Sequence, residues 1–250
     1  MDSVFGPVQN QTASSMLADR IRAAILDGRL GEGTVMPTER ELAEQTGLGR
    51  STVREALRLL QASGLITSRP GAKGGSVVRL PRVDNVVESL DVFIRGRRLS
   101  FAALLETREA LEPMCARLAA RARTDADLET LSGLHERMSA KRIRQADFSA
   151  ANAAWHLAVA DASHNELLSA FMSAIGHAIE LGITRSPRKS AEVRPQVLHA
   201  HARILDAIRD GDADAAMRRM LKHVHAYTDK VADWQLPDDI PLDDDRTGAP

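Results

Sequence analysis

Apolar positions recur with helical spacing along most of this 250-residue chain. Over 16–27, Leu17, Ile21, Ala24 and Ile25 form one stripe, and Gly28 stops it. Gly31, Gly33 and Pro37 then interrupt the pattern. Thr38 with Glu41 is a capping-box pair that opens a helix through Gln45, and Gly47 ends it. After a short turn, 51–63 is a third predicted helix, with Val53, Ala56, Leu57 and Leu60 on its inner face and Gly64 as its stop. The period then changes. Residues 65–69 and 76–80 predict two short strands joined by the glycine-rich turn 70–75.

From Pro81 onward nearly every segment has helical periodicity, with helices predicted near 83–97, 101–122, 125–144, 146–162, 164–186, 190–210 and 212–231. Ser163 and Glu166 form a capping-box pattern, and Gly211 followed by Asp212 reads as a stop and a fresh N-cap. Pro113 falls inside the second of these helices, where a kink is expected. No internal repeat is visible. The fold class is therefore mostly α: an N-terminal winged helix-turn-helix of three helices plus a β-hairpin, followed by an all-α helical bundle. The expected organisation is a flexible N-terminus at 1–14, the winged unit at 15–80, a linker at 81–84, the bundle at 85–232 and a disordered acidic tail at 233–250.

Composition narrows the class. Apolar residues make up 44% and charged residues 27%, which excludes global disorder and fibrous folds. Aromatics at 3% favour helix over a β-sandwich or barrel. A single cysteine, Cys115, leaves no intramolecular disulfide and no cysteine-based zinc site. No apolar run reaches transmembrane length, and the first residues lack a basic then apolar leader, so no membrane association and a cytoplasmic location are expected. The net charge of −1 is misleading. Residues 1–80 and 81–231 each carry a small positive excess, and the Asp-rich tail masks it.

In a winged helix-turn-helix the second helix of the motif enters the DNA major groove, N-terminal residues first. Here that helix carries Arg50, Arg54 and Arg58 at i, i+4 and i+8, on the face opposite Val53, Leu57 and Leu60. Guanidinium forks take guanine edges or phosphates in bidentate fashion, and Ser51 and Thr52 add hydroxyls at the helix start. In the wing, Gly71 permits close backbone approach and Lys73 adds a cation. The competing reading is a solvated basic face ion-paired to Glu55 or Glu39.

The run from Ala18 to Val78 resembles the GntR-type winged helix. The matching segments are Ile25-Leu26-Asp27-Gly28-Arg29-Leu30, Pro37-Thr38-Glu39-Arg40-Glu41-Leu42-Ala43 and Arg50-Ser51-Thr52-Val53-Arg54-Glu55-Ala56-Leu57. The resemblance implies that Arg40, Arg50, Arg54 and Gly71 contact DNA. Gly49 departs from the pattern, since Ser or Thr usually caps the recognition helix there.

Eight histidines all fall in the helical part. Asn152 and His156 are four apart on one helix face, while His201 and His223 each have a second His two residues away. Two residues on a helix is about 200° of rotation, so only one of each pair can face the interior. From the residues alone, ordinary core or surface histidines and a metal site both stand. The stretches 151–165 and 201–223, with 105–113, are similar to the ligand-binding domain of the FadR subfamily of GntR regulators. That resemblance implies that Asn152, His156, His201 and His223 hold a divalent metal ion, zinc first, with nickel or manganese as alternatives. Asn152 replaces the more common Asp.

The resemblance further implies a small carboxylate effector that completes the metal's open positions. Arg108 either pairs with that carboxylate or is tied to Glu112 at i+4. It implies a homodimer on double-stranded, pseudo-palindromic operator DNA, usually as a repressor. A metal-free regulator sensing a larger acyl ligand is the alternative. No H-E-x-x-H, G-x-S-x-G or P-loop is present, so a His-site metalloenzyme is the weakest reading and no enzyme is expected.

Overall fold

The computed structural model describes residues 12–69, 75–183 and 194–232. Gly71, Lys73 and the acidic tail lie outside the described residues. The chain divides into two units between Asn85 and Val86.

In the first unit, α1 (Ala13–Leu26) starts earlier than its apolar stripe, because the Thr12 side chain accepts a hydrogen bond from the Ser15 amide and caps it. Residues 13 and 14, expected in a flexible terminus, are thus helical. Helix α2 (Glu39–Thr46) opens on the Thr38–Glu41 capping box and closes on Gly47 at φ 69°, a conformation glycine adopts without strain. Helix α3 (Arg50–Ala62) follows. Strands β1 (Ile66–Arg69) and β2 (Gly75–Val78) pair antiparallel, Ile66 opposite Val78.

Backing for the hairpin comes from the loop before α2, where Val35 bridges Val77 and the Met36 amide donates to the Ser76 carbonyl. Apolar side chains alone form this core: Leu17, Ile21, Ile25, Leu42, Val53, Leu60 and Ile66 lead it. Each large aliphatic buried there contributes about 1.5–3 kcal/mol.

The helical unit is built from α4 (Val83–Gly96), α5 (Phe101–Ala122), α6 (Asp125–Met138), α7 (Gln145–Asp161), α8 (Glu166–Ile183), α9 (Arg194–Arg209) and α10 (Ala213–Ala232). Helix α4 begins at Val83, inside the expected linker, where Asn85 Oδ1 accepts from the Arg82 amide. Helix α5 runs unbroken through Pro113 and packs on α7, α8, α9 and α10. Helix α6 stops at Met138, short of the expected 144, because Ser139 caps it and Arg144 begins the next cap in an extended conformation. At the start of α8 the cap is Asn165, whose Oδ1 accepts from the Leu167 and Leu168 amides. Ser163, the expected cap, instead donates to the Ala160 carbonyl. Gly211 at φ 72° and the Asp212 cap on the Ala215 amide are as expected.

No helix among the described residues is long and apolar enough to cross a membrane.

Candidate functional site

Two groups of functional side chains emerge, one exposed and one buried. In the first unit α3 buries Val53, Ala56 and Leu60, which turns Arg50, Ser51, Arg54 and Arg58 outward. Thr52 is half-buried. Gly49, the N-cap of α3, supplies no side-chain hydrogen bond, so the first amides of α3 remain without a side-chain partner at that cap. Arg54 is held by Glu39 across the turn, with Nη2 donating to Oε2 at 2.8 Å and Nε to Oε1 at 3.1 Å. That hydrogen bond holds the Glu39 carboxyl below its ordinary range. Arg40 and Arg58 make only loose pairs, at 3.8 Å, with Glu44 and Glu55. The recognition face is therefore cationic, solvated and partly pre-oriented. Arg54 and Arg58 are paired with Glu39 and Glu55, as the reading of a solvated basic face expects, and both remain exposed.

The second group lies inside the helical unit. His156 on α7, His201 on α9 and His223 on α10 converge, although 67 residues separate the outermost pair. The Nε2 atoms of His201 and His223 are 3.0 Å apart, and those of His223 and His156 are 3.4 Å apart. Their sequence neighbours behave as rotation requires: His199 and His225 are exposed, while His201 and His223 are buried. Trp155 stacks flat on His201 at 3.8 Å between ring centres, fixing that ring by packing. His156 Nδ1 sits 2.6 Å from Glu112 Oε2, and Arg108 pairs with Glu112 Oε1.

Burial pushes the imidazoles toward their neutral forms, His223 down to about 3 and His201 well below its usual value. For Glu112 burial works upward, but Arg108 and then His156 outweigh it and keep the carboxylate ionised. Burial also pushes the Tyr227 hydroxyl up to about 12.

A cavity of about 310 Å³ opens beside this cluster, with Arg108, Glu112, Asn152, His156, His223 and Tyr227 among its lining. Asn152 Oδ1 and His201 Nδ1 are buried without a hydrogen-bond partner. Three neutral imidazoles that meet through Nε2 cannot all satisfy one another, because each of these nitrogens is either one donor or one acceptor and the third is left over. An amide oxygen with no donor stands in the same cavity. Such a donor set fits a divalent cation, and the Glu112 carboxylate on His156 Nδ1 is the outer-shell partner that metal-bound histidines ordinarily have.

Sequence reasoning placed Asn152, His156, His201 and His223 on three helices, and the structure brings the three histidines together, with His156 and His223 lining the same cavity as Asn152. Arg108 lines that cavity and pairs with Glu112 at i+4, the second of the two readings given for it. Glu112 itself was visible only as a neighbour of Arg108; its contact with α7 is a tertiary fact that spacing along α5 does not carry. His164, at φ 50°, pairs with Asp127 at 2.9 Å and is not part of the cluster.

A winged helix with an outward arginine face, in one chain with a helical bundle enclosing a polar cavity, defines a ligand-responsive regulator of transcription. Family profiles agree: residues 13–77 match the family described as bacterial regulatory proteins, gntR family, and residues 103–226 match the FCD domain. The chain belongs to the GntR family and carries an FCD domain, an architecture that fits the FadR subfamily.

It is similar to an Escherichia coli regulatory protein assigned to the L-lactate dehydrogenase operon, 33% identical over 218 residues, spanning 84% of this chain and 83% of that one. The Glc operon transcriptional activator of Escherichia coli is 30% identical over 229 residues, spanning 88% and 89%. Among solved structures, a Streptococcus agalactiae GntR protein superposes with a TM-score of 0.61 at 26% identity, covering 86% of this chain and 99% of that one. The chain is a DNA-binding regulator and not an enzyme.

Proposed function

We propose that this regulator binds a pseudo-palindromic operator as a homodimer and is released by a small carboxylate bound at a divalent metal site in the helical unit. The observation that carries the reading is the trio of converging buried imidazole Nε2 atoms beside the unpartnered Asn152 oxygen. Asn152, His156, His201 and His223 would hold the ion, with zinc the first choice and nickel or manganese next. When bound, the metal supplies a Lewis-acidic centre with open positions for ligand oxygens.

Charge accounting selects the ligand class. Arg108 and Glu112 cancel, and the buried imidazoles are neutral, so a divalent ion leaves the cavity with two uncompensated positive charges. An anion relieves that, and a carboxylate of modest size fits about 310 Å³. One relative is assigned to an L-lactate dehydrogenase operon, and lactate is a small hydroxycarboxylate of this class.

On the DNA side, Arg40, Arg50, Ser51, Thr52 and Arg54, with Gly71 and Lys73 of the wing, would meet the operator. Two-fold symmetry of the dimer would set the half-site spacing. Ligand must bind the DNA-competent and released forms with different free energies, or it shifts nothing. Release by ligand makes the protein a repressor wherever its operator overlaps a promoter, and operator binding places it in the cytoplasm.

The test is operator binding by the purified dimer with and without a panel of small hydroxycarboxylates, before and after chelation. Ligand should weaken operator binding in the metal-loaded protein alone, and His156→Ala should abolish the response while leaving ligand-free operator affinity within about threefold. An equal response after chelation and in His156→Ala would replace this reading with the metal-free one.

A further inference from the structure

A second cavity, of about 460 Å³, runs along the seam between α9 and α10. Its charged lining is Arg203 from α9 and Arg218, Arg219, Lys222 and Lys230 from α10, and among the described residues no carboxylate lines it. Positions 218, 222, 226 and 230 are four apart, so α10 presents its cations as one stripe. Several arginines elsewhere in this unit are matched by a carboxylate, among them Arg95 with Asp91, Arg117 with Asp214, Arg144 with Asp147 and Arg209 with Asp206. Among the described residues none of the five groove cations takes part in an ion pair. Arg219 donates to the Arg203 carbonyl, which leaves its charge uncompensated. Five like charges along one groove repel one another, and an anion lying between them relieves that repulsion.

Lys222, Lys230, Arg203 and Arg218 are exposed. A single exposed cation–anion contact is worth little and is screened by salt, so one negative charge would be held weakly. Several charges on one small body engage several of these side chains together. The cavity's size suits a small molecule and not a macromolecular surface. We propose that the α9–α10 groove binds a small polyanion carrying three or more negative charges, at a site distinct from the buried imidazole cavity. The two cavities share Val197, His223 and Tyr227 as lining. An anion in the groove therefore touches the same wall as a ligand in the buried site, which makes the groove a second input to the regulator.

Titration calorimetry of the full chain with benzene-1,3,5-tricarboxylate and with benzoate, at matched ionic strength, tests this. The tricarboxylate should bind at one site per chain, about tenfold or more tighter than benzoate, and weaken steeply with added salt. Arg218→Gln with Lys222→Gln should cost about tenfold in that affinity with the melting temperature unchanged. Arg50→Gln with Arg54→Gln should leave it intact. His156→Ala should also leave it intact, which separates this site from the proposed metal site. Absence of binding to the full chain overturns the proposal. So does binding that survives the groove substitutions, or that disappears with Arg50 and Arg54 (an anion on the DNA surface) or with His156 (an anion in the buried cavity).

Discussion

Two of the chain's Arg–Glu ion pairs stand in opposite settings. Arg54 and Glu39 meet on the surface of the winged unit, with side chains 56% and 39% exposed. Arg108 and Glu112 meet inside the helical unit, at 7% and 2%. The contrast extends to the units as wholes. Among the described residues every buried charged or imidazole side chain lies in the helical unit: Arg108, Glu112, His156, His201 and His223. The winged unit has an entirely apolar core and keeps its chemistry outside. A DNA reader needs solvated cations that exchange water for phosphate, so its fold can be sustained by aliphatic packing alone. A small-ligand sensor needs desolvated groups, which strengthens each contact but makes the fold depend on every one being paired.

Removing the buried partner should have the largest effect. Glu112→Ala leaves the Arg108 guanidinium buried without its counter-charge and His156 Nδ1 without its neighbour. The expected cost is about 3–5 kcal/mol in the stability of the helical unit, read by chemical denaturation. A loss below about 1 kcal/mol would mean that water or a ligand compensates Arg108, and the contrast between the two pairs would collapse. Leu60→Ala is the matching lesion in the winged unit, where Leu60 is fully buried among aliphatics. It should cost about 2–5 kcal/mol in the stability of the winged unit, read by chemical denaturation.

Substitutions on the exposed face should separate function from stability. Arg50→Ala and Arg54→Ala are each expected to weaken operator binding by about tenfold or more, and to flatten its salt dependence if the contact is to phosphate. Melting should stay within the wild-type range. Loss of operator binding accompanied by a fall in melting temperature would show that these arginines support the fold, contrary to their exposure.

Legibility in the sequence follows the same divide. Local features were readable: the Thr38–Glu41 box, the Gly211–Asp212 boundary, the helices predicted after Pro81, and the rule that only one of each histidine pair faces inward all follow from spacing along one element, while which one does came with the family resemblance. Features made by contact between elements were not. The Glu112–His156 contact joins α5 to α7, and the Val35 bridge joins a loop to β2, neither leaving a mark in periodicity. Two misses were avoidable. Thr124 and Asp127 form a full capping box at α6 in the same pattern as Thr38 and Glu41, and Asn165 is a better-placed cap for α8 than Ser163, because the helix starts immediately after it. Where Ser, His and Asn occur in succession, the sequence leaves several cap registers open, and the positive φ of His164 settles which one is used.

The smallest expected effect belongs to the exposed pair and tests whether Glu39 serves recognition instead of stability. Because Arg54 is solvent-exposed, Glu39→Gln should leave the melting temperature essentially unchanged. The hydrogen bond from Arg54 lowers the Glu39 pKa in the folded protein, so any stability from the pair is complete above the unfolded value and is lost only as pH falls through the lowered one. The difference between wild type and Glu39→Gln should therefore be flat from about pH 5.5 to about pH 8.

DNA binding should respond where stability does not. Removing one carboxylate from beside Arg54 lowers the repulsion of phosphate everywhere and also frees the guanidinium from its bidentate hold. Affinity for non-operator DNA should rise about two- to fivefold while operator affinity rises less, so the ratio between them falls. If the ratio is unchanged, Glu39 only tempers the charge of the surface. If it falls, the carboxylate aims Arg54 at the operator, and the winged unit has used on its surface the same pairing that the helical unit buries.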